Sequence, residues 1–184
     1  MRPVTGRNKL LVFDGCYHGS VDDTEIDIIK GKTVNRVSLL GQVYDLGLHT
    51  VAVPFNDLTA VERELKKGDV AVLLTEPALT NCGMVLPEPG FIEALSALTK
   101  KYGTLLTLDE THTISTARGG WAKAHRVVPD FLVVGKPIAG GLPAGAYGFS
   151  REMAMRMKFA KDNAPKGHSG IGTTPVSYTH LTLP

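Results

Sequence analysis

The chain has 184 residues, of which 43% are hydrophobic and 21% are charged, as expected for one globular domain or part of a larger one. Twenty Lys and Arg against eighteen Asp and Glu give a formal net charge of +2, too small for a nucleic-acid-binding surface. The only cysteines, Cys16 and Cys82, exclude a disulfide framework and a Cys-rich zinc site. The first apolar run, residues 10–13, is too short for a signal peptide or a membrane helix. We therefore expect a cytoplasmic protein that binds a small molecule and neither nucleic acid nor a membrane.

Short apolar runs alternate with longer amphipathic stretches, which is typical of βαβ units around a parallel sheet. The predicted strands are residues 9–13, 50–54, 70–75, 104–109 and 131–134, and the predicted helices are residues 58–67, 88–102 and 151–161. In the last helix, Met153 and Met157 lie four residues apart and are predicted to face the core. Residues 137–148 are rich in Gly and Pro and predict a turn into a hairpin after the fifth strand. The sequence thus predicts an α/β fold.

Polar side chains end three of the predicted strands, at the edge where a parallel sheet binds its ligands. Glu76 follows the third strand, Asp109 ends the fourth and Lys136 follows the fifth. Taken singly, Asp109 is more typical of a helix cap and Lys136 of a surface lysine. Together they favour Schiff-base chemistry, because a lysine enclosed by the following Pro- and Gly-rich segment would lose hydration and react as a neutral amine. Asp109 would then keep a pyridine nitrogen protonated.

Four motifs follow one another along the chain at these strand ends. They are Gly15-Cys16-Tyr17-His18-Gly19, Glu76-Pro77-Ala78-Leu79-Thr80-Asn81-Cys82-Gly83, Leu108-Asp109-Glu110-Thr111-His112-Thr113 and Gly135-Lys136-Pro137-Ile138-Ala139-Gly140-Gly141-Leu142-Pro143. In this order they resemble the class III pyridoxal-phosphate (PLP) aminotransferases, and among them the glutamate-1-semialdehyde 2,1-aminomutases. The resemblance runs from about residue 6 to residue 174. It implies the large domain of fold type I, PLP as cofactor, amino-group transfer, and a small amino-acid or amine substrate.

The resemblance also implies roles for individual residues. Lys136 is expected to form the Schiff base and then to move the proton, and Asp109 to pair with the pyridine nitrogen. Tyr17 matches the aromatic residue that stacks on the cofactor ring, with His18 beside it. Thr111 matches the residue on the opposite face of that ring.

The remaining candidates match positions around the rim of the family's site. Glu76 and Asn81 match an acidic gate and an amide near the phenolic oxygen of the cofactor, although a Glu-Pro pair after a strand is also turn chemistry. His112 either contacts the cofactor oxygen or the substrate, or only lines the crevice. Thr174 or its neighbour Thr173 matches a threonine that reaches the cofactor phosphate of the partner subunit, which implies a homodimer. No metal is implied, because the histidines share no ligand spacing with one another or with the cysteines.

Departures from the family pattern indicate a partial large domain, truncated at both ends. The family's Ser/Gly-rich phosphate loop would precede residue 5, and its small C-terminal domain would follow the last motif. Residues 176–184 back-translate to a string that looks like a transposon-end sequencing adaptor, so we expect residues 1–174 to be native and residues 175–184 to be read-through. Little or no turnover is expected, because phosphate and carboxylate contacts position the reacting carbon. Former interfaces left exposed would promote association.

Two functions of other classes remain open. An apolar strand that ends in Asp109 and Glu110 also fits a nucleotide hydrolase, but the sequence has no G-x-x-x-x-G-K-[ST] phosphate loop. A non-catalytic α/β domain would leave the aromatic, the carboxylate and the lysine at the strand ends unexplained. Among PLP enzymes, mutase, transaminase, decarboxylase and racemase chemistries share these residues, and the neighbourhoods of Asn81 and of residues 140–148 favour the aminomutase-like branch.

Overall fold

The computed structural model describes residues 1–165, and within them an α/β arrangement of five α-helices and eight strands. In chain order the elements are α1 (Arg2–Thr5), β1 (Lys9–Phe13), β2 (Ile26–Ile29), β3 (Lys32–Asn35), β4 (Thr50–Val53), α2 (Leu58–Leu65), β5 (Val70–Thr75), α3 (Phe91–Tyr102), β6 (Leu105–Asp109), α4 (Gly120–Ala124), β7 (Phe131–Val134), β8 (Ala146–Phe149) and α5 (Arg151–Asp162). All five predicted strands and all three predicted helices are confirmed, with ends that shift by at most three residues. No helix in residues 1–165 is long and apolar enough to cross a membrane.

Six strands form one sheet in the order β4-β1-β5-β6-β7-β8. The first five of these pair in parallel, and β8 pairs with β7 in the antiparallel direction, which confirms the predicted hairpin. Because β1, β5, β6 and β7 run parallel, the residues that follow them emerge at the same edge of the sheet. This edge carries the polar residues singled out in the sequence.

The middle of the sheet is the hydrophobic core of the fold. Strands β1, β5 and β6 are almost entirely buried, which explains their unbroken apolar sequences, since a parallel strand is covered on both faces. Phe13, Phe55 and Phe91 pack with ring centroids 5.0–5.6 Å apart. The strands that lead to Glu76 and Asp109 are therefore held by close packing.

The helices begin and end at residues that satisfy their free backbone groups. Asp57 caps α2 by accepting a hydrogen bond from the backbone N–H of Ala60, and Ser150 caps α5 in the same way through Met153. The last turn of α3 closes at Gly103, whose φ of 64° lies in the left-handed region. On α5, Met153 is fully buried and Met157 packs against the core, as predicted from their spacing.

A two-stranded hairpin, β2–β3, was not predicted from the sequence. Its strands have four residues each and are joined at Lys30 and Gly31, whose φ values of 50° and 75° give the twist of a tight hairpin turn. Arg36 fastens the hairpin, because its guanidinium pairs with Glu25 at 2.6 Å and donates to the carbonyl of Cys16 at 3.0 Å. The hairpin is thereby tied to the loop that follows β1.

The opposite end of the sheet is open. Every residue of β8 is exposed, including Tyr147 at 68% and Phe149 at 42%, and β7 is only partly buried after Phe131. The outer edge of β8 carries no neighbouring strand within residues 1–165. Unpaired backbone groups and apolar side chains therefore meet at this edge.

Candidate active site

The ends of β1, β5, β6 and β7 surround one cleft of about 260 Å³. It is lined by Tyr17, His18, Gly19, Glu76, Asp109, Thr111, His112, Val133 and Lys136. Seven of the nine predicted site residues are thus brought together from four strand ends. Their convergence follows from the parallel topology, since no two of the four segments are close in sequence.

Asp109 forms the buried anionic wall of the cleft. Its Oδ2 lies 2.8 Å from Nδ1 of His18, and its Oδ1 accepts a hydrogen bond of 3.0 Å from the backbone N–H of Thr111. Burial opposes ionisation, but the hydrogen bonds from His18 and Thr111 outweigh it and hold the pKa of the Asp109 carboxyl below its usual value. Asp109 therefore remains a carboxylate throughout the neutral pH range.

His18 is fixed in one orientation by this carboxylate. Its side chain is only 3% exposed, and its Nε2 is buried with no hydrogen-bond partner in the described part of the chain. Because Asp109 only accepts hydrogen bonds, Nδ1 of His18 must carry the proton of their shared bond. His18 thus orients and supports the Asp109 carboxylate.

Tyr17 and Lys136 face each other across the cleft. Nζ of Lys136 lies 6.0 Å from the centroid of the Tyr17 ring, and the Tyr17 side chain is 44% exposed. The backbone N–H of Tyr17 donates a 3.2 Å hydrogen bond to Oε1 of Glu76. An amine and an aromatic face are therefore presented to the same space.

The expectation that Lys136 is enclosed and desolvated is wrong for this structure. Lys136, Pro137, Gly140 and Gly141 are all exposed. The physical reason is that this segment leaves the sheet as a short exposed turn and returns as β8, which is itself uncovered. The backbone of Lys136 has a φ of 37°, a strained value for a side-chain-bearing residue and one that recurs at functional sites.

Glu76 links three of the strand ends. Besides the N–H of Tyr17, its buried carboxylate accepts a 2.9 Å hydrogen bond from the hydroxyl of Thr80. The same hydroxyl is hydrogen-bonded to Nδ1 of His112, which lies 3.6 Å from Oε2 of Glu76. Glu76 therefore acts as a buried anchor for residues after β1, β5 and β6.

Thr111 packs closely against the strand that precedes Lys136. A Cβ atom added at Gly135 would lie 3.3 Å from Cγ2 and 3.4 Å from Oγ1 of Thr111. Glycine at position 135 thus lets the end of β7 approach the turn after β6. This contact joins the segment of Asp109 to that of Lys136.

A family model described as Aminotransferase class-III matches residues 1–174. The chain belongs to the class-III aminotransferases. This membership disfavours both the nucleotide hydrolase and the non-catalytic domain considered from the sequence.

Individual relatives of this class-III aminotransferase chain agree with the family match. A glutamate-1-semialdehyde 2,1-aminomutase of Syntrophomonas wolfei is 41% identical over 172 residues, covering 90% of this chain. A crystal structure of a glutamate-1-semialdehyde-aminomutase variant from Pseudomonas aeruginosa in complex with PMP is 40% identical, with a TM-score of 0.85, and covers 94% of this chain and 39% of that protein. An omega-transaminase from Sphaerobacter thermophilus is 33% identical, with a TM-score of 0.75, and covers 83% of this chain and 37% of that protein. The chain spans about 38% of the length of the Syntrophomonas relative.

The described lining of the cleft leaves two predicted site residues of the class-III aminotransferase chain to account for. Asn81 is exposed and does not line it; its amide nitrogen lies 3.5 Å from Oγ1 of Thr80. Thr174, like its neighbour Thr173, lies outside the described residues. Their roles remain predictions.

The sequence also left three supporting residues of this aminotransferase chain unassigned. Thr80 lies four residues after Glu76 in the same motif, so a hydroxyl close in sequence to a candidate carboxylate was the available signal. Glu110 follows Asp109 and is fully buried. Its carboxylate accepts hydrogen bonds from the backbone N–H groups of Trp121 and Ala122 at the start of α4. Arg36 carried no signal, because its role depends on the unpredicted hairpin.

Proposed function

We propose that this chain forms the cofactor-binding core of a PLP-dependent aminotransferase or aminomutase, in which Lys136 is the nucleophile that holds the cofactor. The observation that carries this proposal is the arrangement of Lys136, Tyr17 and Asp109 around one cleft. The substrate is a small amino acid or amine, as the family suggests. Mutase and transaminase relatives are both similar to the chain, and the aminomutase-like reaction is the preferred form of the proposal.

The residues of the cleft fit the chemical groups of PLP. The aldehyde requires an amine, the pyridine nitrogen an anion and the ring a flat apolar face, and the cleft offers Lys136, Asp109 and Tyr17 in these roles. When bound, PLP would supply an electron sink for the carbanion formed at the substrate α-carbon. A carboxylate that stays ionised at neutral pH, such as Asp109, keeps the pyridine nitrogen protonated.

The other cleft residues serve to position and enclose the cofactor. His18 holds the Asp109 carboxylate in place, and Thr111, whose backbone N–H also binds that carboxylate, would contact the cofactor ring as the family resemblance implies. Glu76 keeps the Tyr17 segment and Thr80 in register through its hydrogen bonds. His112 completes the lining of the cleft.

For the whole protein, the proposal also includes the roles of Asn81 and Thr174, an association surface and a cellular compartment. Asn81 would lie near the phenolic oxygen of the cofactor, and Thr174 would contact the cofactor phosphate of a second subunit in a homodimer, as the family resemblance implies. The exposed apolar side chains of Leu40 and Val43, at 98% and 89%, support an association surface. Two free cysteines support a reducing, cytoplasmic compartment, which cell fractionation tests directly.

The test of the cofactor role is reductive labelling. The chain is mixed with PLP and reduced with borohydride, and pyridoxyl-lysine is located by peptide mass mapping. We expect the label to be concentrated on Lys136 and to be lost in Lys136→Ala. The matched control is Lys158→Ala, an exposed lysine of α5 that pairs with Asp162 and leaves the cleft unchanged.

A label spread over many lysines and unchanged by Lys136→Ala would contradict the proposal if it persisted in the restored full-length protein. The same preparation tests turnover, which we expect to be little or none for this chain alone, because substrate contacts beyond it position the reacting carbon. Full-rate amino transfer by this chain would contradict that expectation. Sedimentation of the full-length protein tests the homodimer.

A further inference from the structure

His112 is held by a hydrogen-bonded chain that determines which of its nitrogens carries the proton. The Glu76 carboxylate can only accept, so the Thr80 hydroxyl donates its single proton to Oε2 of Glu76 at 2.9 Å. Oγ1 of Thr80 must then accept from Nδ1 of His112, with which it is hydrogen-bonded. Neutral His112 is therefore protonated at Nδ1, and its Nε2 is the basic atom.

The basic nitrogen of His112 is available to the cleft. The His112 side chain lines the cleft and is 28% exposed, and Nε2 has no hydrogen-bond partner among residues 1–165. His18 has the same protonation pattern, but its side chain is 3% exposed and its Nε2 is buried. Of these two histidines, only His112 can exchange a proton with a molecule in the cleft.

We propose that His112 is a second proton-transfer group of this site, and that its Nε2 takes a proton from the ammonium group of an incoming amine substrate. This inference rests on the proposed function, since it needs an amine to react beside Lys136. In the step, an N–H bond of the ammonium breaks and its electron pair stays on the substrate nitrogen. A new Nε2–H bond forms, and the positive charge of the imidazolium is balanced by Glu76 through Thr80.

A base in the cleft would serve this reaction. Amines are ammonium ions at neutral pH and become nucleophiles only after losing a proton, while histidine is the side chain that changes protonation in this range. Lys136 is occupied by the cofactor when the substrate arrives. The titratable and charged groups facing His112 from the surrounding elements are Tyr17 and His18 after β1, Glu76 after β5, Asp109 at the end of β6, and Lys136 after β7.

The first test reads the tautomer of His112 without any cofactor. We expect ¹⁵N NMR of the whole chain to show His112 protonated at Nδ1 and bare at Nε2. Thr80→Val removes the hydroxyl at equal size and should shift the population to protonated Nε2, whereas Thr80→Ser should retain the original tautomer. A protonated Nε2 in the unaltered chain would overturn the proposal.

The second test compares two small amines of similar size with the PLP-loaded chain. Ethylamine is protonated at neutral pH and 2,2,2-trifluoroethylamine is not, so only the first needs a base to release Lys136 from the cofactor. His112→Gln should slow the release by ethylamine by about a hundredfold and leave trifluoroethylamine unaffected. His49→Gln, at an exposed histidine outside the cleft, should change neither rate.

The outcomes of the two tests separate this inference from the proposed function. Equal slowing of both amines by His112→Gln would mean a structural role and would overturn the inference, even with Lys136 selectively labelled. Absence of Lys136 labelling in the restored protein would defeat the proposed function, while the NMR result would still report the state of His112 itself.

Discussion

The two sides of the cleft differ in how firmly the fold holds them. On the β1–β5–β6 side, the Asp109 and Glu76 side chains are 9% and 4% exposed and make at least two hydrogen bonds each. On the β7–β8 side, Lys136 and all of β8 are exposed. The anionic half is therefore built by the core of this chain, while the lysine half lies on a part of the sheet that is exposed within residues 1–165.

The largest expected loss of stability comes from a substitution on the buried side of the cleft. Leu108 is fully buried in β6 beside Asp109, so Leu108→Ala should lower the free energy of unfolding by about 3 kcal/mol. Leu142→Ala is the matched change on the exposed side, where Leu142 is 74% exposed, and should cost less than about 0.5 kcal/mol. Urea denaturation followed by circular dichroism measures both, and similar losses would contradict the contrast.

The next effect concerns the charge on Asp109. Its lowered pKa means that the carboxylate stabilises the fold above the ordinary aspartate pKa, and that this contribution is lost as the pH falls through the lowered value. Asp109→Asn should therefore lose about 2 kcal/mol at neutral pH, because the charged hydrogen bond to His18 is weakened.

The pH dependence of the unfolding free energy shows whether the loss in Asp109→Asn comes from the charge of the carboxylate. The difference in unfolding free energy between the unaltered chain and Asp109→Asn should begin to shrink below about pH 4, where the aspartate of the unfolded chain takes up a proton. It should vanish once the pH falls below the lowered pKa of Asp109 in the folded chain. A constant difference between pH 7 and pH 3 would show that the loss comes from packing and not from ionisation.

A smaller effect tests the contact between the two sides. Gly135→Ala should cost about 1 kcal/mol, because the added methyl group would press on Thr111 at 3.3 Å and shift either this turn or the start of the Lys136 segment. Gly148→Ala in β8 meets no atom within 4 Å and should be neutral. Thermal denaturation of both variants provides the measurement, and equal midpoints would exclude the close approach.

The smallest expected effect on stability comes from a substitution in β8, the exposed edge strand of the sheet. Tyr147→Lys, at a 68% exposed position of β8, should change the unfolding free energy by less than about 0.5 kcal/mol. It should nevertheless reduce self-association, because a charged residue discourages strand pairing at an edge. Sedimentation velocity at several concentrations tests this, with Leu48→Lys as the control at an exposed site elsewhere. A larger reduction in Leu48→Lys would place the association surface away from β8.

The contrast between the two sides also explains what the sequence could predict. The buried strands were predictable because short continuous apolar runs that alternate with amphipathic stretches, such as residues 70–74, are typical of strands covered on both faces. The polar residues after them were predictable because parallel strands end at a common edge. Asp109 and Lys136 thus reach one cleft by topology alone.

The remaining features depend on three-dimensional contacts that no local pattern encodes. The β2–β3 hairpin is too short for a clear alternation, and its turn uses Lys30 at a left-handed φ where glycine or asparagine is usual. The exposure of Lys136 was mispredicted because burial depends on what lies over β8, which the residues of the loop do not specify. Thr80 escaped notice because its importance comes from joining Glu76 to His112.

The left-handed backbone at position 136 has a consequence for how this position can evolve. A φ of 37° is most easily adopted by glycine, so the local backbone and the proposed reaction demand different residues at the same place. Glycine there would relieve the backbone strain and would remove the amine on which the proposed cofactor binding rests. The position therefore carries a conflict between the backbone conformation, which favours glycine, and the proposed chemistry, which needs lysine.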